Sequence, residues 1–266
     1  MSGAGRTLIG GSERAGLARG EVHVWEADLA EVPDSLAREV LSPDERERAG
    51  SILGAARRRT WARTRALLRL LLGGYLDCDP RPLRFVAGAH GKPALSGAQS
   101  RLRFSVSHSD ASALYALALG REVGIDLQLR APAGRLPALA RRAFTVEAAV
   151  ELASMQPAAR RSAFMSAWAR HEATLKCLGV GLAGTGAPCS EEVWTVELPL
   201  RREGGSALAV LGSPGPIRRR RWHPGDATAA SGVLVAHAEA IVRERGAEGG
   251  PSALDGARRS RRGSSG

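Results

Sequence analysis

Residues 122–129 read EVGIDLQL, an apolar run with one carboxylate, Asp126, in its middle. A short run of this composition predicts a strand. A carboxylate buried in such a strand must find a cation, a metal ion or hydrogen-bond donors, because burying it without a partner is costly. The alternative is that Asp126 lies near the end of the strand and faces solvent. The two interpretations differ in what surrounds Asp126 in the fold.

A helical pattern extends from about residue 136 to residue 178, and its last helix contains AFMSAWARHEATLKCL (163–178). Glu172 and Lys176 are four residues apart, with Trp168 one turn earlier, so all three project from one face. The simplest interpretation is a Glu–Lys pair, worth about 0.2–0.5 kcal/mol, above a core tryptophan.

The rarity of lysine favours a more specific interpretation. Lys92 and Lys176 are the only lysines among 38 basic residues. An ammonium group can exchange a proton and a guanidinium effectively cannot, so each lysine is a candidate for a role that arginine cannot fill.

The rest of the chain alternates helical and strand-like segments. A capping-box sequence, Ser42-Pro43-Asp44-Glu45, predicts the start of a long helical segment with a break near Gly54 and an end at Gly73-Gly74. A turn is predicted at Gly91-Lys92-Pro93, and Gly179 ends the last helix. Strands are predicted at residues 21–29, 83–88, 102–107, 113–119, 122–129, 193–200, 206–211 and 230–238.

This order of elements predicts an α+β fold whose two similar halves meet near Asp126. We expect a flexible N-terminus (1–20), an N-terminal half (21–122) and a C-terminal half (123–240). The polar, basic segment 241–266 is expected to be disordered.

Composition narrows the classes of function. The net charge is +11, from 38 basic and 27 acidic residues, which favours anionic partners. Almost all basic residues are arginine and asparagine is absent, which suggests a GC-rich coding sequence and weakens the charge as a signal for nucleic acid. The three cysteines form no CxxC pair, and neither a signal peptide nor a membrane span is evident. We therefore expect a cytoplasmic protein.

Ser107 and His108 in FSVSHS could suggest a nucleophilic dyad. Neighbours on a strand point to opposite faces, so these two side chains cannot form the hydrogen bond that a dyad requires. A histidine with flanking hydroxyls at a strand end suits anion binding, and a capped surface turn is the alternative.

In this order and spacing, the segments resemble the Sfp-type 4′-phosphopantetheinyl transferases. The resemblance covers roughly residues 40–182, with a weaker strand match to about 238. It depends on the joint order of seven motifs: LSPDERERA (41–49), RALLRLLLGGYL (65–76), HGKPAL (90–95), FSVSHS (104–109), VGIDLQ (123–128), FTVE (144–147) and WARHEATLKCLGVGL (168–182).

The resemblance implies two similar α+β halves with the active site in the cleft between them. It implies transfer of the phosphopantetheine arm of coenzyme A to a serine of an apo acyl or peptidyl carrier protein, with release of 3′,5′-ADP. This is a holo-acyl-carrier-protein synthase activity. Asp126 and Glu172 are hard oxygen ligands and would hold Mg²⁺, with Gln128 as a third, weaker ligand.

The resemblance also assigns the remaining site residues by position. Lys176 would stabilise or protonate the leaving 3′,5′-ADP, and Glu147 corresponds to the general base, with Glu172 as its rival. The coenzyme A contacts would be Arg46, Arg48, Arg59, Lys92, Ser107, His108 and Lys176.

Two positions depart from the family pattern. The family often has a second acid where this chain has Gln128, and it has a lysine where this chain has His171, which is cationic only below its pKa. A weakened homologue that binds coenzyme A or a carrier protein without turnover is therefore one alternative.

An Arg-rich nucleic-acid-binding protein is the alternative of a different class. Only 4% of residues are aromatic and no RNP-like strand or zinc-ligand spacing is present, which argues against it. We expect coenzyme A and a carrier protein as partners, no nucleic acid, no membrane and a monomer.

Overall fold

The computed structural model describes residues 16–88, 90–97, 101–130, 136–180, 192–213 and 215–225. The strand predicted at 230–238 and the tail predicted at 241–266 lie outside the described residues, as does most of segment 1–20.

The described residues form a mixed α+β structure, which confirms the predicted class. The strands are β1 (Val22–Asp28), β2 (Phe85–Ala87), β3 (Pro93–Leu95), β4 (Leu102–Ser109), β5 (Ser112–Leu119), β6 (Val123–Gln128), β7 (Val193–Glu197), β8 (Gly205–Leu211) and β9 (Ile217–Arg221). The helices are α1 (Asp34–Val40), α2 (Pro43–Ser51), α3 (Ala55–Leu76), α4 (Leu136–Ala143), α5 (Val146–Ser154) and α6 (Pro157–Leu178).

These strands form three sheets. A four-stranded sheet has the order β4-β5-β1-β9, a three-stranded antiparallel sheet has the order β6-β8-β7, and β2 and β3 form a short ribbon. β9 pairs in parallel with β1, with Ile217 opposite Val22, so the four-stranded sheet takes one strand from far along the chain. The division into halves at 122/123 stays a prediction.

The two larger sheets pack face to face between helices. In β5, Tyr115 and Leu117 pack against α1 and α3, whereas Leu114 and Ala116 pack against β6 and β8. Ala207 of β8 faces the other way and packs on α6. Successive side chains of a strand point to opposite faces of its sheet, so each sheet packs on both sides. The result is four layers: α1 and α3, the four-stranded sheet, the three-stranded sheet, and α6.

Serine hydroxyls join the edges of the two sheets. β4 and β6 are both edge strands, and alternate serines of β4 accept hydrogen bonds from backbone N–H groups on and just after β6. This satisfies donors that an uncovered edge would leave unpaired. The pairs are Ser105 with Ile125 at 3.1 Å, Ser107 with Leu127 at 3.2 Å, and Ser109 with Leu129 at 3.1 Å.

Helix α6 lies directly on β6 because glycine occupies position 124. A Cβ atom there would come within 1.9 Å of the Ala173 carbonyl oxygen and 2.4 Å of the Cys177 backbone nitrogen. Small residues of α6, including Ala169, continue the contact along β8. This close approach brings the turn that carries Glu172 and Lys176 over β6.

The predicted end of the long helix at Gly73-Gly74 is wrong. The break at Gly54 is confirmed, with φ +89°, but α3 continues to Leu76 and ends at Asp77 in the left-handed conformation. Gly73 is needed for space, because a Cβ there would come within 2.9 Å of the Cys78 carbonyl oxygen.

Elsewhere the predicted elements are present, with shifted ends. The helical pattern from residue 136 divides into α4, α5 and α6, and Gly179 ends α6 in the left-handed conformation, as expected. β3 is an additional strand, beginning at the Pro93 of the predicted turn, and β9 contains Arg218–Arg221, a run whose sequence favours a solvated strand or a loop. Within the described ranges, no helix combines the length and apolar character that crossing a membrane requires.

Gly124→Ala tests the close approach of α6. We expect a loss of about 1–3 kcal/mol in the free energy of unfolding, because the added methyl must push the helix away from β6. Gly50→Ala is the control, since Gly50 lies within α2 with open space around its Cα and the change should be neutral or stabilising. Thermal unfolding of both variants measures the difference, and equal midpoints would contradict the packing argument.

Candidate functional site

Asp126 is a buried carboxylate that accepts three hydrogen bonds. Its side chain is 4% exposed. Its Oδ1 accepts from Lys176 Nζ at 2.6 Å and from Ser107 Oγ at 2.8 Å, and its Oδ2 accepts from Gln128 Nε2 at 2.9 Å. The interpretation that Asp126 faces solvent is therefore wrong, and the interpretation that it needs partners is confirmed.

Lys176 reaches this carboxylate from α6. Besides Asp126, its ammonium donates to Ser107 Oγ at 3.1 Å and to the Ile125 carbonyl oxygen at 3.2 Å. The three N–H bonds of the ammonium are thus directed at β4 and β6. Lys176 links the helix to both sheet edges.

Glu172 lies one turn before Lys176 and is close enough to Asp126 for their charges to interact. Burial is the main cause that raises the pKa of Glu172, and the negative charge of Asp126 raises it further, while Lys176 acts in the opposite direction. Two carboxylates in one enclosed site repel each other unless a cation lies between or beside them.

The donor set at this site fits Mg²⁺. Asp126, Glu172 and the Gln128 amide could offer oxygen ligands from β6 and α6, and Mg²⁺ typically takes one or two carboxylates together with waters and substrate phosphates. Within the described residues, no group of three or more His, Cys, Asp and Glu side chains converges on one point, so no all-protein cage of these residue types is formed there.

Glu172 and Lys176 line a cavity of about 280 Å³, together with Lys92 and His90. Lys92 is partly engaged, because its Nζ donates to Glu122 Oε2 at 2.8 Å and to the Val123 carbonyl oxygen at 3.0 Å. The predicted turn at Gly91 therefore places both lysines of the chain at the same cavity.

A second cavity, of about 490 Å³, adjoins the first, and the two share Gly91, Pro93 and Val106 in their walls. The larger cavity combines cationic and aromatic groups, which suits a phosphorylated nucleotide. Its lining includes Arg48, Arg65, Arg69, Arg84, His108, Trp61 and Phe85.

A buried ion cluster fixes two of these arginines. Glu45 accepts from Arg65 Nε and from Arg69 Nε, each at 2.5 Å, and also from the Ser42 backbone N–H at 3.1 Å. Burial opposes the charge on Glu45, but the hydrogen bonds from Arg69 and Arg65 outweigh it and lower the pKa of Glu45. The residue predicted to cap α2 therefore also attaches α2 to α3.

His108 lies at the rim of the larger cavity, on the opposite face of β4 from Ser107. Partial desolvation and then the positive charge of Lys176 lower the pKa of His108. It therefore acts near neutral pH as an uncharged hydrogen-bonding group. Ser107 lines neither cavity and is 7% exposed.

Arg46 and Arg59, predicted as coenzyme A contacts, line neither cavity. The Arg46 side chain turns back to donate to the Leu41 carbonyl oxygen. Arg59 is 60% exposed and lies 3.7 Å from Asp34. Both side chains lie outside the cavity. The bonds from Arg65 and Arg69 to Glu45 turn other faces of α2 and α3 toward it.

Sequence reasoning missed Arg65, Arg69 and Arg84 as cavity residues. A signal was present for two of them, because Arg65 and Arg69 are four apart on the face that also carries Trp61.

Glu147, the predicted base, is exposed in the first turn of α5. Its own backbone N–H and then the Thr145 side chain lower its pKa, as expected at a helix N-terminus. It lines neither cavity, whereas its rival Glu172 does.

His171 lies in an aromatic cluster. Its ring centroid is 6.2 Å from that of Phe144 and 6.1 Å from that of Trp168. Burial lowers the pKa of His171, so the ring packs as a neutral group. His171, which stands where the family has a lysine, therefore lines neither cavity.

Comparison with known proteins supplies the family. A family model described as the 4′-phosphopantetheinyl transferase superfamily matches residues 122–232. The chain is 36% identical over 168 residues to the 4′-phosphopantetheinyl transferase HetI of Nostoc sp., an alignment that covers 61% of this chain and 70% of HetI. The chain belongs to the 4′-phosphopantetheinyl transferase superfamily.

More distant relatives agree. The chain is 33% identical over 123 residues to the 4′-phosphopantetheinyl transferase AcpT of Salmonella typhi, covering 46% of this chain and 60% of AcpT. It is 30% identical over 145 residues to AcpT of Escherichia coli O157:H7, covering 54% of this chain and 69% of the relative. The stretch that matches the superfamily model includes Asp126 and Lys176, whereas the arginine-lined cavity is built largely by residues before it.

Gln128→Glu tests whether position 128 belongs to the ion site. The variant replaces a donor to Asp126 by a third carboxylate, so without divalent ions we expect a loss of about 1–3 kcal/mol in the free energy of unfolding. Added Mg²⁺ should restore more stability to the variant than to the wild type.

Thermal unfolding across an Mg²⁺ series measures this effect, with Gln128→Ala as the control that removes the donor without adding charge. An equal Mg²⁺ response of Gln128→Glu and the wild type would place residue 128 outside the ion's coordination shell.

Proposed function

We propose that this protein transfers the 4′-phosphopantetheine arm of coenzyme A to a serine hydroxyl of an apo acyl or peptidyl carrier protein. The reaction forms a bond from the serine oxygen to the β-phosphorus of coenzyme A and breaks the diphosphate bond, releasing 3′,5′-ADP. One observation carries the proposal: Glu172 and Lys176, whose ammonium bonds Asp126 at 2.6 Å, line a cavity that adjoins an arginine-lined cavity.

Asp126 and Glu172 would hold Mg²⁺, with Gln128 supplying an amide oxygen or orienting a water. The ion would neutralise charge on the diphosphate during displacement. Asp126 is already oriented by three donors, which reduces the rearrangement needed when a ligand binds.

Lys176 would stabilise the charge that develops on the leaving 3′,5′-ADP or protonate it, with one N–H bond turning from its present acceptor toward the substrate. Unlike Ser107, it lines the cavity, and its side chain is 31% exposed. Its ammonium lies at the wall of the smaller cavity and is anchored to both β4 and β6. Glu172 is the favoured acceptor for the serine proton because it lines the same cavity, whereas Glu147 is exposed on α5.

The 3′-phosphoadenosine end of coenzyme A would occupy the larger cavity. Arg48 and Arg84 supply positive charge at its wall, and His108 supplies a neutral hydrogen-bonding group. Trp61 and Phe85 are the aromatic groups available to the base. Lys92 would contact coenzyme A from the smaller cavity.

The net charge of +11 agrees with an acidic protein partner. Carrier domains of this kind are usually acidic, and a basic surface would speed their approach. Cytoplasmic location and a monomeric state remain part of the proposal.

The experiment combines purified protein, Mg²⁺, coenzyme A and several apo carrier domains, and measures the carrier mass. We expect the carrier to gain one 4′-phosphopantetheine arm. Asp126→Asn and Glu172→Gln should each lower the transfer rate by at least about 100-fold, because each removes an ionic ligand without changing side-chain volume. Glu172→Gln should fold nearly normally, whereas Asp126→Asn should also lower thermal stability, because Lys176 loses its anionic partner.

Coenzyme A binding without transfer to any carrier would favour the weakened homologue. Tight binding of nucleic acid at physiological salt, with no coenzyme A binding, would favour the alternative class.

Arg48→Ala and Arg59→Ala form a matched pair for the nucleotide site. Arg48 lines the larger cavity next to the Trp61 ring, whereas Arg59 does not line it. We expect Arg48→Ala to raise the KM for coenzyme A by about 10-fold, the equivalent of one charge-assisted hydrogen bond, and Arg59→Ala to leave it unchanged. Steady-state kinetics at saturating Mg²⁺ measures both, and the reverse order would contradict the assignment of the cavity.

A further inference from the structure

The hydroxyl of Ser107 has no hydrogen-bonding capacity left for a substrate. A serine hydroxyl has one donor and two acceptor positions. The donor is directed at Asp126 Oδ1 at 2.8 Å. The two acceptor positions receive Lys176 Nζ at 3.1 Å and the Leu127 backbone N–H at 3.2 Å.

The family resemblance implies that Ser107 contacts coenzyme A, and these three bonds oppose that role. A phosphate oxygen needs a donor, and the only hydroxyl proton of Ser107 is already bonded to Asp126. The side chain is also buried and lines neither of the two cavities. His108, the next residue, is the one that β4 directs to the nucleotide cavity.

We propose that Ser107 is a positioning residue for the Asp126 carboxylate and the Lys176 ammonium, and not a contact to coenzyme A. This inference deepens the proposed function and rests on it, since it treats Asp126 as an ion ligand. Ser107 is the point where β4, β6 and α6 meet. Its hydroxyl donates to the Asp126 carboxylate of β6 and accepts from the Leu127 backbone N–H of β6 and from the Lys176 ammonium of α6.

The bond from the Leu127 N–H to Ser107 is one of the serine-to-backbone bonds that join the edges of the two sheets. Ser109 forms the equivalent bond to the Leu129 N–H at 3.1 Å, on the same face of the same strand. No hydrogen bond from its hydroxyl to Asp126 or Lys176 is present among the described contacts. Removing the Ser109 hydroxyl therefore measures how much one serine-to-backbone bond contributes to stability. It leaves the bonds to the Asp126 carboxylate intact.

If Ser107 positions Asp126 and Lys176, removing its hydroxyl should weaken binding of the metal ion and leave binding of coenzyme A unchanged. Partners that orient a metal-binding side chain typically change metal affinity by about 10–100-fold when removed. Without the Ser107 hydroxyl, Asp126 Oδ1 loses a donor, and Lys176 loses one of its anchors. Coenzyme A loses no direct contact.

The test compares Ser107→Ala, Ser107→Thr and Ser109→Ala in the full chain. Mn²⁺ serves as the probe for the ion site, and its binding is measured by water-proton relaxation with and without coenzyme A and without a carrier protein. Thermal unfolding is measured in parallel, and transfer kinetics are titrated separately in Mg²⁺ and in coenzyme A.

We expect Ser107→Ala to weaken Mn²⁺ binding by about 10-fold or more and to raise the Mg²⁺ concentration for half-maximal rate, with the KM for coenzyme A unchanged at saturating Mg²⁺. Ser107→Thr keeps the hydroxyl and should recover most of the Mn²⁺ affinity. Ser109→Ala should lower thermal stability while binding Mn²⁺ as the wild type does.

Three results would overturn the inference: a raised KM for coenzyme A with unchanged Mn²⁺ affinity in Ser107→Ala, equal Mn²⁺ effects in Ser107→Ala and Ser109→Ala, or no Mn²⁺ binding by the wild type. Absence of transfer by the wild type would reject the proposed function alone, because the Mn²⁺ measurements do not depend on turnover.

Discussion

The structure depends on burying one negative charge, that of Asp126. A carboxylate enclosed by β4, β6 and α6 is tolerated only with donors on both oxygens, and Ser107, Lys176 and Gln128 provide them. Each donor comes from a different position in the chain. The carboxylate therefore fixes how two sheet edges and a helix meet, and the absent side chain at position 124 allows the helix to come close enough.

The arginine-lined cavity also contains a buried carboxylate with cationic partners, here two guanidinium groups. Glu45 is buried between Arg65 and Arg69, and Arg69, only 2% exposed, also donates to backbone carbonyls at residues 80 and 81. Such a cluster holds guanidinium groups in place before any ligand arrives, and thereby reduces the ordering cost of binding. The more exposed arginines of the cavity then remain to contact an anion directly.

Sequence reasoning succeeded where one local feature decides the result. An isolated Asp in an apolar strand predicted that Asp126 has buried partners, whereas the family resemblance, and not the spacing of Glu172 and Lys176, implied that α6 lies beside it. Sequence reasoning failed where the decision depended on packing across the fold. Residue 78 passes close to Gly73, and α3 ends only beyond that glycine, at Asp77. Arg46 and Arg59 line neither cavity, and their contact with coenzyme A stays a prediction. The serine contacts between β4 and β6 could not be predicted from the sequence, because the two strands belong to different sheets.

The parallel pairing of β9 with β1 affects how the protein can fold during synthesis. Val22 leaves the ribosome almost two hundred residues before its partner Ile217 does. β1 has no partner strand until β5 (Ser112–Leu119) has been synthesised, and from then until β9 follows it has only β5 beside it. Its other edge can meanwhile pair with a second nascent chain. A pause in translation, or a stop codon before β9, would therefore leave a strand open to aggregation.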